Sequence, residues 1–175
     1  MDRLDFKSNW PVKDEHLLEL GRLMTMWIAL ENQVMVSISK LMGYDDILDR
    51  RPTILLAHAN FKQRVDALHT LCEQLVKQFP GLENYENVIS KIKAAQKGRN
   101  KYAHNGLTLN PESGNYELFR LSAQGTLKVT AETVHINDIR EVTAKTHEAG
   151  CLLYTLITGQ PCPPIWERQS PRSTS

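Results

Sequence analysis

The sequence predicts a mostly α-helical domain, an antiparallel four-helix bundle with a small antiparallel β-meander inserted between the third and fourth helices. Three observations predict it. Apolar residues recur at threes and fours along three long stretches before residue 103 and one after residue 137. The connections between these stretches are short, as antiparallel neighbours require. Between residues 107 and 134 the helical period gives way to short runs of strand formers broken by turn residues.

Residues 1–12 are polar, with Trp10-Pro11 as a lead-in. The first helix is expected over residues 14–42. Its apolar stripe is Leu17, Leu20, Met24, Trp27, Val34, Ile38 and Leu41, and Gly43 stands where a left-handed C-cap belongs. Glu31 interrupts this stripe one turn after Trp27. A charged loop over residues 44–52 and a short helical turn over residues 53–59 follow. Asn60 then reads as an N-cap with Gln63 as its capping-box partner. The second long helix, residues 61–79, carries Phe61, Val65, Leu68, Cys72, Leu75 and Val76 on one side and stops at Pro80-Gly81.

The third long helix is expected over residues 82–102. Its inward line is Tyr85, Val88, Ile89, Ile92, Ala95, Arg99 and Tyr102. Gly98 inside it costs about 1 kcal/mol against alanine, which close approach of another backbone would explain. Strands are expected at residues 107–109, 116–121 and 127–130. Asn137-Asp138 reads as the cap of a last helix over residues 138–158, with Ile139, Val142, Thr146, Leu152, Leu153, Leu156 and Ile157 on its apolar side. The organisation is one domain over residues 1–158, with the β insertion at about 107–134 and a flexible Pro- and Ser-rich tail over residues 159–175.

The chain's 175 residues suit a single core, and 41% hydrophobic with 23% charged residues fits a soluble globular protein. A net charge of +1 points to no partner, so a nucleic-acid footprint must be a local patch. Cys72, Cys151 and Cys162 lack CxxC spacing. The start of the chain lacks the plan of a signal peptide, and no apolar run is long enough to span a membrane. The expected location is the cytoplasm, without membrane attachment.

The chemistry concentrates in Lys97-Gly98-Arg99-Asn100-Lys101-Tyr102-Ala103-His104-Asn105-Gly106, a basic stretch with no acidic residue between Glu86 and Glu112. Two charges, Glu31 and Arg99, interrupt apolar stripes. Each is costly to bury alone, so a Glu31–Arg99 ion pair is the expected solution, either as a structural feature only or as support for a site. His104, at the helix end, can exchange a proton near neutral pH. Arg99 offers a fork suited to phosphate, and Asn100, one turn before His104, can orient its ring. This set suits metal-free cleavage of an RNA backbone by its own 2′-hydroxyl.

The segment Arg99-Asn100-Lys101-Tyr102-Ala103-His104 resembles the R-x4-6-H motif of the HEPN superfamily (higher eukaryotes and prokaryotes nucleotide-binding domain), in which a polar residue often follows the arginine. The helix plan over residues 14–158 is similar, and Glu31 matches the polar residue many members carry on an earlier helix. The resemblance implies a metal-independent endoribonuclease with Arg99 and His104 catalytic and Asn100 and Glu31 supporting. It also implies no cofactor and a homodimer whose two motifs share a cleft, with Gly98 at the close approach. Members act as toxins, in phage defence or beside CRISPR systems, so an antitoxin or defence-complex protein is an implied partner. Gly106 stands where antitoxin-modified members carry a tyrosine, and the meander lies outside the minimal bundle.

A rival reading is a non-catalytic module that binds nucleic acid or a partner protein. In both readings Lys93, Lys97 and Lys101 are expected to hold RNA phosphates, with Tyr102 as a base-stacking candidate or a packing residue under the meander. No metal site is expected, because the histidines, His58 and His69 among them, show no ligand spacing. A Cys–His hydrolase is disfavoured because Cys72 and Cys151 lie in apolar surroundings. Phosphate-cradling and dinucleotide-binding glycine patterns are absent.

Overall fold

The computed structural model describes residues 10–44 and 51–163. The first nine residues, the middle of the 44–52 loop and most of the expected tail lie outside the described residues. The rest is mostly helical with a three-stranded antiparallel sheet. Helices α1 (Asp14–Leu41), α2 (Arg51–Leu56), α3 (Phe61–Leu75) and α4 (Tyr85–Ala103) precede β1 (Gly106–Leu109), β2 (Tyr116–Gln124) and β3 (Thr126–Thr133), and α5 (Ile136–Thr158) follows.

Local signals account for most boundaries. At Gly43 the backbone turns left-handed (φ 83°) and its N–H donates to the Lys40 carbonyl, closing α1. Asn60 Oδ1 accepts from the Gln63 N–H at 3.0 Å, while the Gln63 side chain accepts from the Asn60 N–H at 2.8 Å. Several boundaries differ from expectation. Helix α2 takes in Arg51 and Pro52, which the sequence placed in a loop; proline fits a first turn, where its missing N–H leaves nothing unpaired. Helix α3 stops at Leu75 rather than 79, and a 3-10 turn at Pro80–Leu82 separates it from α4. Helix α5 starts at Ile136, because His135 is the cap and Asp138 is the third residue inside, its carboxylate accepting the His135 N–H at 2.9 Å. Strands β2 and β3 run further than expected, in unbroken register to Gln124↔Thr126 around Gly125.

Two clusters form the core. The larger joins α1, α3, α4 and α5 through Trp27, Val34, Ile38, Val65, Leu68, Ile92 and Leu153. The smaller sits under the sheet, where Leu23, Tyr102, Leu118, Val134 and Ile139 meet. Beyond Leu118 the β2–β3 hairpin leaves the body, and β3 is exposed along its whole length. Phe119, Leu121, Leu127 and Val129 share one exposed face of it, as their register requires.

The stripe expected on α1 needs correction. The buried line runs Leu23, Trp27, Leu30, Val34 and Ile38, while Leu17, Leu20, Met24 and Leu41 are only partly covered. The cause is α5, which packs along α1 and brings Gly150 against Leu30. Glu31 thus flanks the core line rather than interrupting it. The buried carboxylate of α1 is Glu19, 4% exposed. It accepts hydrogen bonds at 2.9 Å from Arg140 Nε on α5 and from Arg22 Nη1.

Gly98 is a close-approach site, but within the chain. A Cβ there would lie 2.8 Å from Val142 Cγ1 of α5. Val142 is β-branched and stiff, so it cannot swing clear. Gly98→Ala is expected to lose about 1–3 kcal/mol to this overlap, more than the roughly 1 kcal/mol that alanine's helix propensity returns. In a Val142→Ala background the same change should stabilise. Urea denaturation of the four variants measures the cycle; equal effects in both backgrounds would refute the contact.

The Glu19 cluster predicts an acid limb. The Arg140 hydrogen bond, aided by the charges of Arg140 and Arg22, holds the Glu19 carboxyl below its usual range against the opposing effect of burial. A depressed folded-state value means that its contribution is fully present above the unfolded-chain carboxylate value, near 4.3, and is lost as pH falls through the folded value. Glu19→Gln should lower stability at neutral pH and reduce the loss below about pH 4. Melting temperatures across pH 2–7 check this, and parallel curves for the two proteins would contradict it.

Candidate functional site at the end of helix α4

Arg99 and His104 both belong to the last turns of α4, but they are held very differently. Arg99 continues the inward line Val88–Ile92–Ala95 and is partly buried. Its guanidinium lies over the Trp27 ring, 5.0 Å from the centroid, and Trp27 in turn packs against Phe61. Arg99 Nη1 donates to Asn100 Oδ1 at 3.1 Å. His104 is the C-cap, with φ −116° and ψ 3°, and it is exposed. The Asn105 side-chain amide donates to the Lys101 carbonyl at 2.6 Å, so the helix end is closed from outside and the chain leaves directly into β1.

Helical geometry puts Arg99 and His104 about 140° apart around the axis and roughly 7.5 Å apart along it, whereas Asn100 and His104 are only about 40° apart. The Arg99–Asn100 hydrogen bond ties the guanidinium to the neighbouring amide while it stays over the Trp27 ring. This corrects two expectations. Asn100 holds Arg99 and makes no hydrogen bond to the His104 ring. No ion pair joins Glu31 to Arg99 among the described residues, because the Trp27 indole, one turn earlier, occupies the place beside the guanidinium. Arg99 Nε and the Trp27 indole Nε1 are buried without a hydrogen-bond partner.

The lysines separate. Lys93 faces α3, 3.9 Å from Asp66. Lys97 and Lys101 instead line a groove of about 640 Å³ between α4 and α5, with Lys91, Arg120 and Lys145 as its other cations and Glu148 as its carboxylate. Asn100 and Asn105 also line it; Arg99 and His104 do not. Arg120, from the hairpin, and Lys145, from α5, gave no sequence signal, because only the tertiary fold brings them beside α4. Lys101 bonds Glu132 of β3 at 2.7 Å.

Tyr102 is a packing residue. It is 8% exposed, in the cluster beneath the sheet, and burial, with the charges of Asp138, Glu132 and Glu141, pushes its hydroxyl up to about 12. It has no face to offer a base. Cys72 is buried, its thiol pushed up to about 11 by desolvation. Cys151 departs from expectation: it is only half-buried, with Sγ 3.6 Å from His147 Nε2 one turn earlier. Among the described residues no cluster of three or more His, Cys, Asp or Glu could hold a metal ion. Nor is any helix among them long and apolar enough to cross a membrane.

Against this geometry, the chain matches no family model, no curated protein and no solved structure.

Tyr102→Phe tests the buried hydroxyl. The hydroxyl is buried without a hydrogen-bond partner, so its removal should leave stability unchanged or raise it by up to about 1 kcal/mol. Single-stranded RNA binding should be unaffected. Weakened binding by a variant of unchanged melting temperature would restore the Tyr102 hydroxyl as an RNA contact.

Proposed function

We propose that this chain is a metal-independent endoribonuclease of HEPN type. Its four long helices act as an antiparallel bundle, and two copies form a homodimer across which the site is completed. The observation that carries this reading is the Arg99–Asn100 hydrogen bond, which holds a guanidinium in the same last turns of α4 that end on an exposed histidine. The chemistry asks for little more. A ribose 2′-hydroxyl attacks the adjacent phosphorus as the bond to the 5′-oxygen breaks, leaving a 2′,3′-cyclic phosphate and a 5′-hydroxyl. His104 transfers protons, and Arg99 stabilises the charge that builds on the phosphate oxygens. Asn100 positions Arg99. Such activity calls for restraint in the cell, so an antitoxin or defence-complex protein is the proposed regulator, and the cytoplasm the proposed location.

A second reading rests on a different observation. The basic groove is lined by neither Arg99 nor His104. A module that binds RNA or an acidic partner without turnover would use that groove and keep the motif only as structure.

Labelled single-stranded RNA incubated in EDTA distinguishes them. The wild type should cut it to products ending in cyclic phosphate. Arg99→Ala and His104→Ala should each lose on the order of 10²-fold or more in rate while remaining folded, the scale typical of general acid–base and charge-stabilising groups. Asn100→Ala should be intermediate. Binding without cleavage by the wild type would favour the second reading, and sedimentation showing only monomer at high concentration would remove the shared site.

A further inference from the structure

The α4–α5 groove excludes Arg99 and His104 yet meets their motif at Asn100 and Lys101, and Asn100 also holds Arg99. We infer that this groove is the track for single-stranded RNA, held by its phosphates alone and without base-specific contacts; the choice of RNA rests on the nuclease reading above.

Its lining carries five cations, Lys91, Lys97, Lys101, Arg120 and Lys145, against one carboxylate, Glu148, an excess of +4 in a chain of net charge +1. These cations come from three elements: α4, the β2–β3 hairpin and α5. Lys91 and Lys101 are ten residues apart on one helix, about 15 Å of wall, the length of several nucleotides. Four of the five already touch carboxylates: Lys91–Glu148 at 3.1 Å, Lys145–Glu141 at 2.6 Å, Lys101–Glu132 at 2.7 Å and Arg120–Glu132 at 3.5 Å. Each of these pairs includes a half-exposed carboxylate, and pairs of that exposure are weak, so phosphates can take their place. Lys97 has no such pair among the described residues.

The floor is small and apolar, with Ala94, Ala95, Gly98 and Val142. It accepts a ribose edge but offers no stacking platform, because among the described residues no aromatic side chain lines the groove and Tyr102 is turned under the sheet. Affinity must then come from counterion release, steep in salt and indifferent to sequence.

The test is fluorescence anisotropy of labelled 12-nucleotide 2′-O-methyl oligo(U) and oligo(A) RNA, which lacks the attacking hydroxyl and stays uncut, in EDTA over a salt series, on the full chain. Both RNAs should bind with similar affinity. Lys97→Glu/Lys145→Glu should weaken binding at least about tenfold and flatten the salt slope by roughly 0.7 for each phosphate that is no longer neutralised, with an unchanged melting temperature. Lys62→Glu, a charge reversal on α3 outside the groove lining, should bind as the wild type does. Wild-type affinity in the charge-reversal variant, a tenfold preference between the two RNAs, or no binding by the wild type would each overturn the inference. So would displacement of RNA by polyglutamate as effective as by unlabelled RNA, which would indicate an acidic protein partner. Groove-dependent binding without any cleavage would leave the track standing and defeat the nuclease reading alone; cleavage that survives charge reversal undiminished would do the opposite.

Discussion

The contact between Gly98 and Val142 sets the rest of the structure. Helix α4 can approach α5 there only because position 98 has no Cβ. That approach closes the floor of the basic groove and fixes the rotation of α4 about its axis. With Gly98 turned to α5, helical geometry sends Arg99 about 100° round, towards α1 and the Trp27 indole, and leaves Lys97 and Lys101 at the groove. One missing methyl group thus decides which charges are gathered on one side and which is drawn inward.

Arg99 then shows how a cation is kept half inside a helical core without a carboxylate. A neighbouring acid would hold it more strongly in Coulomb terms, but two charges would have to leave water. The indole face and an amide oxygen cost less desolvation and leave the positive charge uncancelled. The true buried carboxylate, Glu19, is answered by two arginines whose outer ends stay half-exposed, so its charge is balanced at the rim of α1 and α5.

Sequence periodicity made the helices legible because each has one apolar side and sharp punctuation, such as Gly43 after α1 and Asn60 before α3. It misjudged the inward side of α1 because that helix is covered from more than one direction, and a broad buried arc hides its centre from a count of threes and fours. Glu31 looked misplaced only against the wrong centre. Glu19 gave no warning of its burial, since its i+3 spacing to Arg22 is that of an ordinary exposed pair and its pairing with Arg140 on α5 leaves no local spacing. The motif itself was readable as a basic helix end. The partnership of Arg99 with Trp27 was not, although both residues stood on expected inward lines; their meeting depends on how α1 and α4 cross.

The hairpin is better understood through Tyr102 than as an addition to a finished bundle. Tyr102 is the last inward residue of α4, and beyond it the helix line runs out while apolar surface on Leu23 and Ile139 is still uncovered. Leu118 and Val134, from the two ends of the β2–β3 segment, close over that surface and bury the ring. The sheet is therefore anchored at its base and free beyond it, so the hairpin can carry Arg120 out to the groove while Glu132, at its root, bridges Lys101 and Arg120. The insertion completes a small core and, by the same geometry, supplies the third wall of the groove.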